Sequence, residues 1–330
     1  MKTLTVSVAS YNIEKFINQA LEPFLSDGIR DDVEVIIVND GSKDQTSEIA
    51  HSYAEKYPST FIVVDKENGG YGSTINASLP MASGKYYKLL DGDDWYNPNC
   101  LKEYIDLLKD SDEDLIITSG IWKEEETGKE TIHPAFEECE ENIQFTFDNY
   151  PVNQSIHAYN TSFKTSCIKN QGITITENCF YTDTEFLLKC LSKCNTMKYY
   201  NIPLYMYRIG RDEQSMSLEG LKIHYKDAVK YYKEVLKLYN DKSIVQSFKD
   251  NYLENALISL GKYHLSTFYV LSSKLKKEYK EFDKHIKIVA NRIYQGTNTG
   301  KIKLLRMTNY TGYSLVCRYA RKQFDGRNII

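Results

Sequence analysis

The chain has 330 residues and a formal charge of -4 at pH 7, so it can bury a sizeable core as one large domain with an appendage or as two domains. This charge, with a pI near 6.0, gives no electrostatic reason for the whole molecule to bind a polyanion, and it argues against a nucleic-acid-binding protein. Seven cysteines at irregular spacing are too few for a disulfide framework and fit a reducing cytosol.

The first 120 residues alternate between short β-branched runs and helical patterns, which predicts an α/β fold with a doubly wound, mainly parallel sheet. The predicted strands are 4–8, 33–38, 61–64, 86–90 and 115–118. Apolar residues at helical spacing predict helices within 16–24, 49–57 and 101–108.

The remaining chain changes character twice. Residues 123–142 are acidic and irregular, which indicates a solvated hairpin or loop. The mixed region 152–217 contains a helix-like pattern at 184–193, and the chain from 218 onward has helical patterns rich in Lys, Tyr and Leu. We therefore predict one α/β domain over 1–217 and a helical C-terminal region over 218–330.

No segment has the pattern of a signal peptide or a membrane span. Residues 1–12 carry only a very short apolar run interrupted by serines, which predicts a first strand. No apolar stretch approaches the ~18 to 20 residues that a transmembrane helix requires. We expect a cytoplasmic protein, with peripheral attachment to the inner face of the cell membrane as an open alternative.

Polar clusters follow three of the predicted strands. These clusters are Ala9-Ser10-Tyr11-Asn12, Asn39-Asp40-Gly41-Ser42-Lys43-Asp44 and Asp91-Gly92-Asp93-Asp94-Trp95. Ligands of an open parallel sheet bind at the carboxyl ends of its strands, and a βαβ arrangement would bring all three clusters to that edge.

The third cluster has the spacing of a metal-diphosphate site. Asp91 and Asp93 at a strand end can both face a hard divalent cation that bridges a diphosphate. A solvated acidic turn that caps the helix after Pro98 is the alternative, and Asp40 likewise suits a simple turn. The glycines of 68–72 would let the backbone approach a ligand.

The segments 6–12, 34–46, 68–85 and 89–98 resemble the successive motifs of family 2 inverting glycosyltransferases with the GT-A fold, of the bacterial surface-polysaccharide type. The resemblance covers about the first 100 residues. It implies that a nucleotide-sugar donor, usually a UDP-sugar, binds at these strand ends, with Mn²⁺ or Mg²⁺ as the cofactor. The residues it assigns to the donor are Ala9, Tyr11 and Asp40 at the base, Asn68 and Gly70, and the Asp-x-Asp residues Asp91, Gly92 and Asp93, with Asp93 on the metal.

Segment 176–186 resembles the part of the family that carries the general base. Asp183 matches the catalytic acid of that motif, and Thr182 replaces the acid that usually precedes it. Glu185 is less favoured because it projects differently from the helix. A first-turn carboxylate stabilised by the helix dipole is the structural alternative for Asp183.

Segments 205–211 and 214–217 resemble the end of these catalytic domains. Arg208 and Arg211 are the candidates for closing over the diphosphate, although ordinary surface arginines fit the spacing equally well. The sequence lacks the Gln-x-x-Arg-Trp motif and the transmembrane helices of processive synthases. The resemblance therefore implies addition of a single sugar.

The predicted reaction is transfer of a sugar to the hydroxyl of a glycan or lipid-linked acceptor, with residues 1–120 binding the donor and 121–217 the acceptor. We expect His157 to shape the acceptor site without a chemical role. A sugar nucleotidyltransferase and a non-catalytic nucleotide-sugar-binding protein remain the alternatives. The former is disfavoured because residues 9–20 contain no glycine and only Lys15 as a basic residue.

The C-terminal segment 301–327 combines basic and apolar residues. Its basic residues are Lys301, Lys303, Arg306, Arg318, Arg321, Lys322 and Arg327, against Asp325 alone. Such a segment suits an anionic membrane surface. A basic helix packed on the catalytic domain or on the partner of a homodimer explains it equally well.

Overall fold

A computed structural model describes residues 2–137, 142–150, 156–210 and 218–323. The chain forms two compact units, Met1–Arg211 and Asp212–Ile330. The first unit is built around one sheet, and the second is helical in its described part.

The sheet of the first unit contains ten strands within the described ranges. They are β1 Leu4–Ser10, β2 Val33–Asn39, β3 Phe61–Asp65, β4 Tyr86–Asp91, β5 Trp95–Tyr96, β6 Leu115–Glu124, β7 Glu130–His133, β8 Gln144–Phe145, β9 Thr161–Lys164 and β10 Met197–Ile209. Their order is β3-β2-β1-β4-β9-β6-β10-β5, with β7 beside β6 and β8 beside β10.

The two halves of this sheet differ in strand direction. Strands β3, β2, β1 and β4 are all parallel. Strand β9 is antiparallel to both of its neighbours, and β10 is parallel to β6. The parallel half thus presents several carboxyl strand ends at one edge, where ligands of such sheets bind.

Helices cover both faces of the sheet. They are α1 Ile17–Leu21, α2 Thr46–Lys56, α3 Tyr71–Ser78, α4 Pro98–Asp110, α5 Thr165–Ile168 and α6 Thr182–Leu191. Leu4, Val6 and Val8 of β1 point to the core shared with α1, α2 and α4, whereas Ser7 points the other way and hydrogen bonds Ser78 of α3. This alternation follows from the period of two in a strand.

The predicted α/β fold class is confirmed. Each of the five predicted strands lies within an observed strand, and the helical pattern at 184–193 corresponds largely to α6. Strands β6 and β7 pair as an antiparallel hairpin, as expected for 123–142, although residues 138–141 lie outside the described chain. The antiparallel insertion of β9 was not predicted.

The described part of the second unit, residues 218–323, consists of helices, as predicted from residue 218 onward. They are α7 Leu218–Asn240, α8 Gln246–Phe248, α9 Glu254–Leu271, α10 Lys276–Val289, α11 Asn291–Gly296, α12 Gly300–Met307 and α13 Tyr313–Gln323, with a π-helical turn at Lys249–Leu253. Their core contains the aromatic rings of Tyr232, Phe268, Tyr279 and Phe282. Among the helices described in either unit, none combines the length and the apolar composition needed to cross a bilayer.

Candidate active site

The structure brings the three polar clusters together at the carboxyl edge of the parallel half. Ala9 of β1 lies between Val38 of β2 and Asp91 of β4, and its carbonyl oxygen accepts a 3.0 Å hydrogen bond from the amide of Gly92. A Cβ atom on Gly92 would lie 2.6 Å from that same oxygen. Glycine at position 92 therefore permits the turn after β4 to fold against β1.

Asp40 is almost completely buried, and its carboxylate is surrounded by donors. Lys66 donates to Oδ1 at 2.7 Å, and the amides of Gly69 and Gly70 donate at 2.9 and 2.8 Å. The hydroxyl of Ser73 also donates to Oδ1 at 3.1 Å. The carboxylate thereby fixes the glycine-rich segment 68–72 onto the end of β2, in addition to any contact with a ligand.

Three further residues predicted for the donor side lie at or near this network. Asn68 donates from its side chain to the Asp40 carbonyl oxygen at 2.9 Å. Gly70 has a φ of 78°, a conformation that glycine adopts at little cost. Tyr11 leaves 49% of its surface exposed, so its ring is accessible at the same edge.

The segment before α6 docks directly on α3. The side-chain amide of Asn76 donates to the Ile175 carbonyl oxygen at 2.8 Å and accepts from the Ile175 amide at the same distance. A Cβ atom on Gly72 would lie 2.3 Å from the Thr176 carbonyl oxygen. Gly72 thus permits close backbone packing between two chain segments about 100 residues apart in sequence.

Asp91 and Asp94 have different surroundings at the end of β4. Burial, followed by the nearby charge of Asp93, raises the pKa of Asp91 to about 7, and the hydroxyl groups of Tyr71 and Tyr205 stabilise its charged form. Asp94 is buried and accepts hydrogen bonds from the Tyr205 hydroxyl at 2.9 Å and the Arg208 amide at 2.8 Å. Asp94 therefore anchors β10 to this turn.

Arg208 lies on β10 and is 7% exposed. Its Nε atom donates to the Asp93 carbonyl oxygen at 3.0 Å, and its other nitrogens pair with Glu125 and Gln19. Its guanidinium group also lies 5.0 Å from the centre of the Trp95 ring. Arg208 is thus held by the protein itself beside the acidic turn, whereas Arg211 lies outside the described residues.

Asp183 lies in the first turn of α6, after Tyr181 in a left-handed conformation with φ 64° and ψ 24°. Its side chain keeps access to solvent, but the protein that surrounds it raises the pKa of its carboxyl group above the usual value. The charge of Asp183 also contributes to the raised pKa of Asp91. The two carboxylates, 92 positions apart in sequence, therefore lie within electrostatic reach of each other.

Glu185 is fully buried and has a structural environment. It accepts hydrogen bonds from the amide and the hydroxyl of Thr176 at 3.2 and 3.1 Å, and Lys189 pairs with it at 2.6 Å. Its carboxylate therefore holds the segment before α6 against the helix. Of the two acids in the first turn of α6, Asp183 is therefore the one that solvent reaches.

An aromatic row adjoins the carboxylates. Tyr159 stacks on Tyr207 with ring centres 6.1 Å apart, and the solvent-exposed His157 stacks on Tyr159 at 5.5 Å. Trp122 contacts Tyr207 at 5.9 Å and stacks on His133 at 4.0 Å. We call these five residues the aromatic row.

Tyr207 links this row to the acidic side chains. Its burial raises the pKa of its hydroxyl group, and four nearby carboxylates raise that pKa further: those of Asp94, Asp91, Asp93 and Asp183. One ring thus lies near the acidic turn after β4 and near the first turn of α6.

The acidic groups are oxygen ligands of the kind that Mn²⁺ and Mg²⁺ prefer. Within the described chain, no group of three or more His, Cys, Asp or Glu side chains could hold a metal ion by itself. A hard cation bound by one or two carboxylates and completed by substrate phosphates is compatible with this set. The repulsion between Asp91 and Asp93 that raises the pKa of Asp91 would be relieved by such a cation.

Several residues of this site were not predicted from the sequence. Lys66, Tyr71, Trp122, Tyr159 and Tyr207 reach it from separate segments. The local signals were the position of Lys66 just after β3, that of Tyr71 within the glycine-rich segment and that of Tyr207 within segment 205–211.

Comparisons with known proteins agree with this architecture. The model of the family "Glycosyl transferase family 2" matches residues 5–169. The chain is 30% identical over 224 residues to "Putative glycosyltransferase EpsH" of Bacillus subtilis, covering 63% of this chain and 62% of EpsH. It is 26% identical over 215 residues to "Minor teichoic acid biosynthesis protein GgaB" of the same species, covering 64% of this chain and 23% of GgaB. The aligned part is thus less than two thirds of either relative.

Solved structures show the same fold. The structure of S. aureus TarS 1-349 in complex with UDP-GlcNAc has a TM-score of 0.71 to this chain at 19% identity, covering 98% of this chain and 92% of that chain. Mannosyltransferase PcManGT from Pyrobaculum calidifontis, in complex with GDP-Man and Mn²⁺, has a TM-score of 0.53 at 14% identity, covering 98% and 87%.

The sheet and its acidic strand ends define a protein of the GT-A fold class. Because the family model matches half of the chain, the protein belongs to glycosyl transferase family 2. The resemblance found in the sequence is thereby confirmed.

Proposed function

We propose that this chain transfers a sugar from a UDP-sugar to an acceptor hydroxyl, with inversion at the anomeric carbon, in the synthesis of a bacterial cell-surface polysaccharide. One observation carries the proposal: the acidic turn after β4, with Asp91 and Asp93, lies beside the end of β1, and the exposed carboxylate of Asp183 lies within electrostatic reach of Asp91. This set combines an acidic strand end for a metal-diphosphate with a separate, solvent-accessible carboxylate for the acceptor.

The donor binds at the carboxyl ends of β1, β2 and β4. Ala9, the exposed Tyr11 and Asp40 contact the base, and Asn68 and Gly70 shape the adjoining turn. The choice of uridine is supported by a protein of the same fold, since TarS has been solved with UDP-GlcNAc and with UDP. Arg208 and Arg211 are proposed to stabilise the negative charge of the diphosphate. Arg208 would do so from beside the acidic turn, where it donates a hydrogen bond to the Asp93 carbonyl oxygen.

Mn²⁺ or Mg²⁺ would be held by Asp93, with Asp91 and Gly92 beside it. The oxygen donors of this turn suit such a cation, and a structure of PcManGT contains Mn²⁺. A bound divalent cation would neutralise charge that develops on the departing diphosphate. Chelation should therefore weaken donor binding and remove transfer together.

Asp183 is the proposed general base. It accepts the proton of the acceptor hydroxyl as the acceptor oxygen forms its bond to the anomeric carbon and the bond to the diphosphate breaks on the opposite face. The raised pKa of Asp183 favours this role, because a base works best when its pKa is not far below the working pH.

The acceptor is proposed to approach along the aromatic row, which belongs to the half over 121–217. Half-exposed aromatic side chains are common in sugar and small-molecule sites, where they provide apolar contact and a few polar atoms. His157 lies at the accessible end of the row and contributes contact, not chemistry. The acceptor is a glycan or a lipid-linked sugar that receives one residue in each reaction, on a chain that acts at the cytoplasmic side of the membrane.

A screen of nucleotide sugars tests the proposal. Purified protein is mixed with several UDP-sugars, or with GDP-mannose as the control, in the presence of MnCl₂ or excess chelator. We expect a UDP-sugar to raise the thermal midpoint only with metal, since a ligand at about 100 times its Kd adds about 2.7 kcal/mol of stability. Release of UDP should then require an acceptor. Donor binding without UDP release under any acceptor condition would favour the non-catalytic alternative.

A further inference from the structure

Acidic and basic residues are unevenly distributed along the sequence, although the chain as a whole carries a formal charge of only -4. Residues 1–217 carry 19 Lys and Arg against 35 Asp and Glu, whereas residues 218–330 carry 22 against 10. Between Asp283 and Asp325 there are nine Lys and Arg residues and no acidic residue. The second unit is thus the basic part of the molecule.

Only some of these basic residues are available at the surface. The guanidinium group of Arg306 is buried and forms a bidentate pair with Asp283. The Oδ2 atom of Asp283 also accepts a 2.6 Å hydrogen bond from the Tyr310 hydroxyl. Arg321 donates to the carbonyl oxygens of Val270 and Leu271 at the end of α9. Both arginines therefore stabilise the second unit through internal contacts. A partner of this unit would contact its other basic side chains.

Helix α13 has two distinct faces. Tyr313, Val316, Cys317 and Ala320 are buried, and their spacing of three and four residues places them on one side. The opposite side carries Leu315, Arg318, Tyr319 and Lys322, all exposed and at the same spacing. Two of these are large apolar side chains, with 69% of Leu315 and 57% of Tyr319 exposed.

Helix α12 extends this outward surface. Ile302 and Leu305 point inward, whereas Leu304 is 51% exposed. Leu304 and Lys301 line a shallow groove of about 450 Å³ together with Leu315 and Tyr319, and the Lys301 ammonium lies 5.5 Å from the centre of the Tyr319 ring. We define the α12–α13 face as Lys301, Leu304, Leu315, Arg318, Tyr319 and Lys322.

We propose that the α12–α13 face docks on an anionic lipid bilayer, with Leu304, Leu315 and Tyr319 at the boundary between headgroups and acyl chains. Basic side chains at such a surface are attracted by anionic headgroups, and apolar side chains beside them gain by leaving water. This inference goes beyond the proposed reaction, because it concerns where the chain resides and does not depend on which sugar it transfers.

The composition of the face favours lipid over the other candidate partners. A soluble polyanion would use the basic residues but would leave Leu315 and Leu304 exposed to water. In a symmetric dimer through this face the same patch would meet itself, so its three basic side chains would oppose three identical charges with no acidic residue of α12 or α13 to balance them.

Flotation with lipid vesicles tests the proposal on the full chain. Vesicles of phosphatidylcholine with phosphatidylglycerol are compared with vesicles of phosphatidylcholine alone, at low and high salt. We expect binding to the anionic vesicles only, weakened by salt. Arg318→Glu with Lys322→Glu should weaken binding roughly 30-fold or more, at about fivefold for each basic side chain lost, and Leu315→Glu should weaken it as well.

Matched substitutions elsewhere in the second unit provide the controls. Ile223→Glu on α7 also places a carboxylate at an exposed aliphatic position, since 65% of Ile223 is exposed. Lys226→Glu with Lys242→Glu makes the same change of charge at exposed positions. These variants should bind vesicles almost as the parent chain does, and circular dichroism should show that all variants keep their helices.

Four results would overturn the proposal, and none of them depends on enzymatic activity. The parent chain could fail to float with anionic vesicles, or it could bind neutral vesicles equally well. The controls could lose as much binding as the α12–α13 variants. Finally, light scattering could reveal a dimer that Leu315→Glu dissociates, without any vesicle binding, which would assign the face to a second copy of the chain.

Discussion

Gly72 and Thr176 approach so closely that a Cβ atom at position 72 would lie 2.3 Å from the Thr176 carbonyl oxygen. This contact joins α3, on the donor side, to the segment that leads into α6. Asn76 strengthens it with hydrogen bonds to Ile175 and Glu177. Because Asp183 opens α6, the position of the proposed base depends on how closely α3 and this segment pack.

Gly72→Ala should therefore impair transfer by moving Asp183, although it changes no proposed catalytic group. The added methyl group meets backbone, which cannot rotate away, so we expect a loss of stability of about 1–3 kcal/mol. A displacement of the base by a fraction of an ångström should lower the rate about tenfold or more. Thermal unfolding and the rate of UDP release measure the two effects.

Gly312→Ala is the matched control for this prediction. A Cβ atom there would have its nearest neighbour at 3.8 Å, the hydroxyl oxygen of Thr308. That variant should keep both its stability and its rate. Full activity of Gly72→Ala would show that the α3 contact does not position Asp183.

Much of this architecture follows from the sequence because its causes are local. The strand ends at Ala9, Asn39 and Asp91 could be predicted from apolar runs followed by polar residues, and parallel pairing brings such ends to one edge. The preference for Asp183 over Glu185 also came from local geometry, since their side chains leave the helix in different directions. The contacts of Glu185 with Thr176 and Lys189 agree with that preference.

The remaining features depend on contacts between distant segments. Nothing near Asp40 in the sequence indicates that Lys66, 26 residues later, pairs with it. Arg208 was predicted only as a candidate for closing over the diphosphate, whereas the structure places it on β10, with its amide and side chain bonded to the turn after β4. The register of β10 on β6 contains irregularities near Pro203, and such a register cannot be read from local spacing.

Lys66→Met should separate the structural role of Asp40 from its proposed contact with the base. The substitution removes the cation that pairs with a buried carboxylate, while the amides of Gly69 and Gly70 still donate to it. We expect a loss of about 1–3 kcal/mol in unfolding free energy and weaker UDP binding, because the glycine-rich segment loosens.

Lys43→Met is the control for that experiment, since Lys43 lies in the same polar cluster but is exposed. Calorimetric titration with UDP and thermal unfolding give the two readouts. If Lys66→Met lost stability but bound UDP as the parent chain does, the Asp40 network would be structural and separate from the donor site.

His157→Ala should test the acceptor side without disturbing the donor side. His157 is exposed and stacks on Tyr159, so its removal shortens the aromatic row at its accessible end. We expect the KM for the acceptor to rise severalfold, with the KM for the donor and the thermal midpoint unchanged. His224→Ala on α7 should change neither constant. A fall in kcat without a change in the acceptor KM would contradict a role in acceptor contact.

Asp183→Asn should lower the rate of transfer and Glu185→Gln should lower the stability of the fold, although the two acids are only two residues apart. Asp183→Asn keeps the shape of the side chain but cannot accept a proton, so transfer should fall by about 10²- to 10⁴-fold while donor binding and stability stay nearly intact. Glu185 is buried and paired with Lys189, so Glu185→Gln should lower the unfolding free energy and affect the rate mainly through that loss.

The pH dependence of the transfer rate provides a second test of Asp183 as the base. A base acts when deprotonated, so the rate in the parent chain should fall with decreasing pH through the pKa of Asp183, which is raised above its usual value, and the small residual rate of Asp183→Asn should lack that limb. Retained transfer in Asp183→Asn together with its loss in a stably folded Glu185→Gln would reassign the base to Glu185.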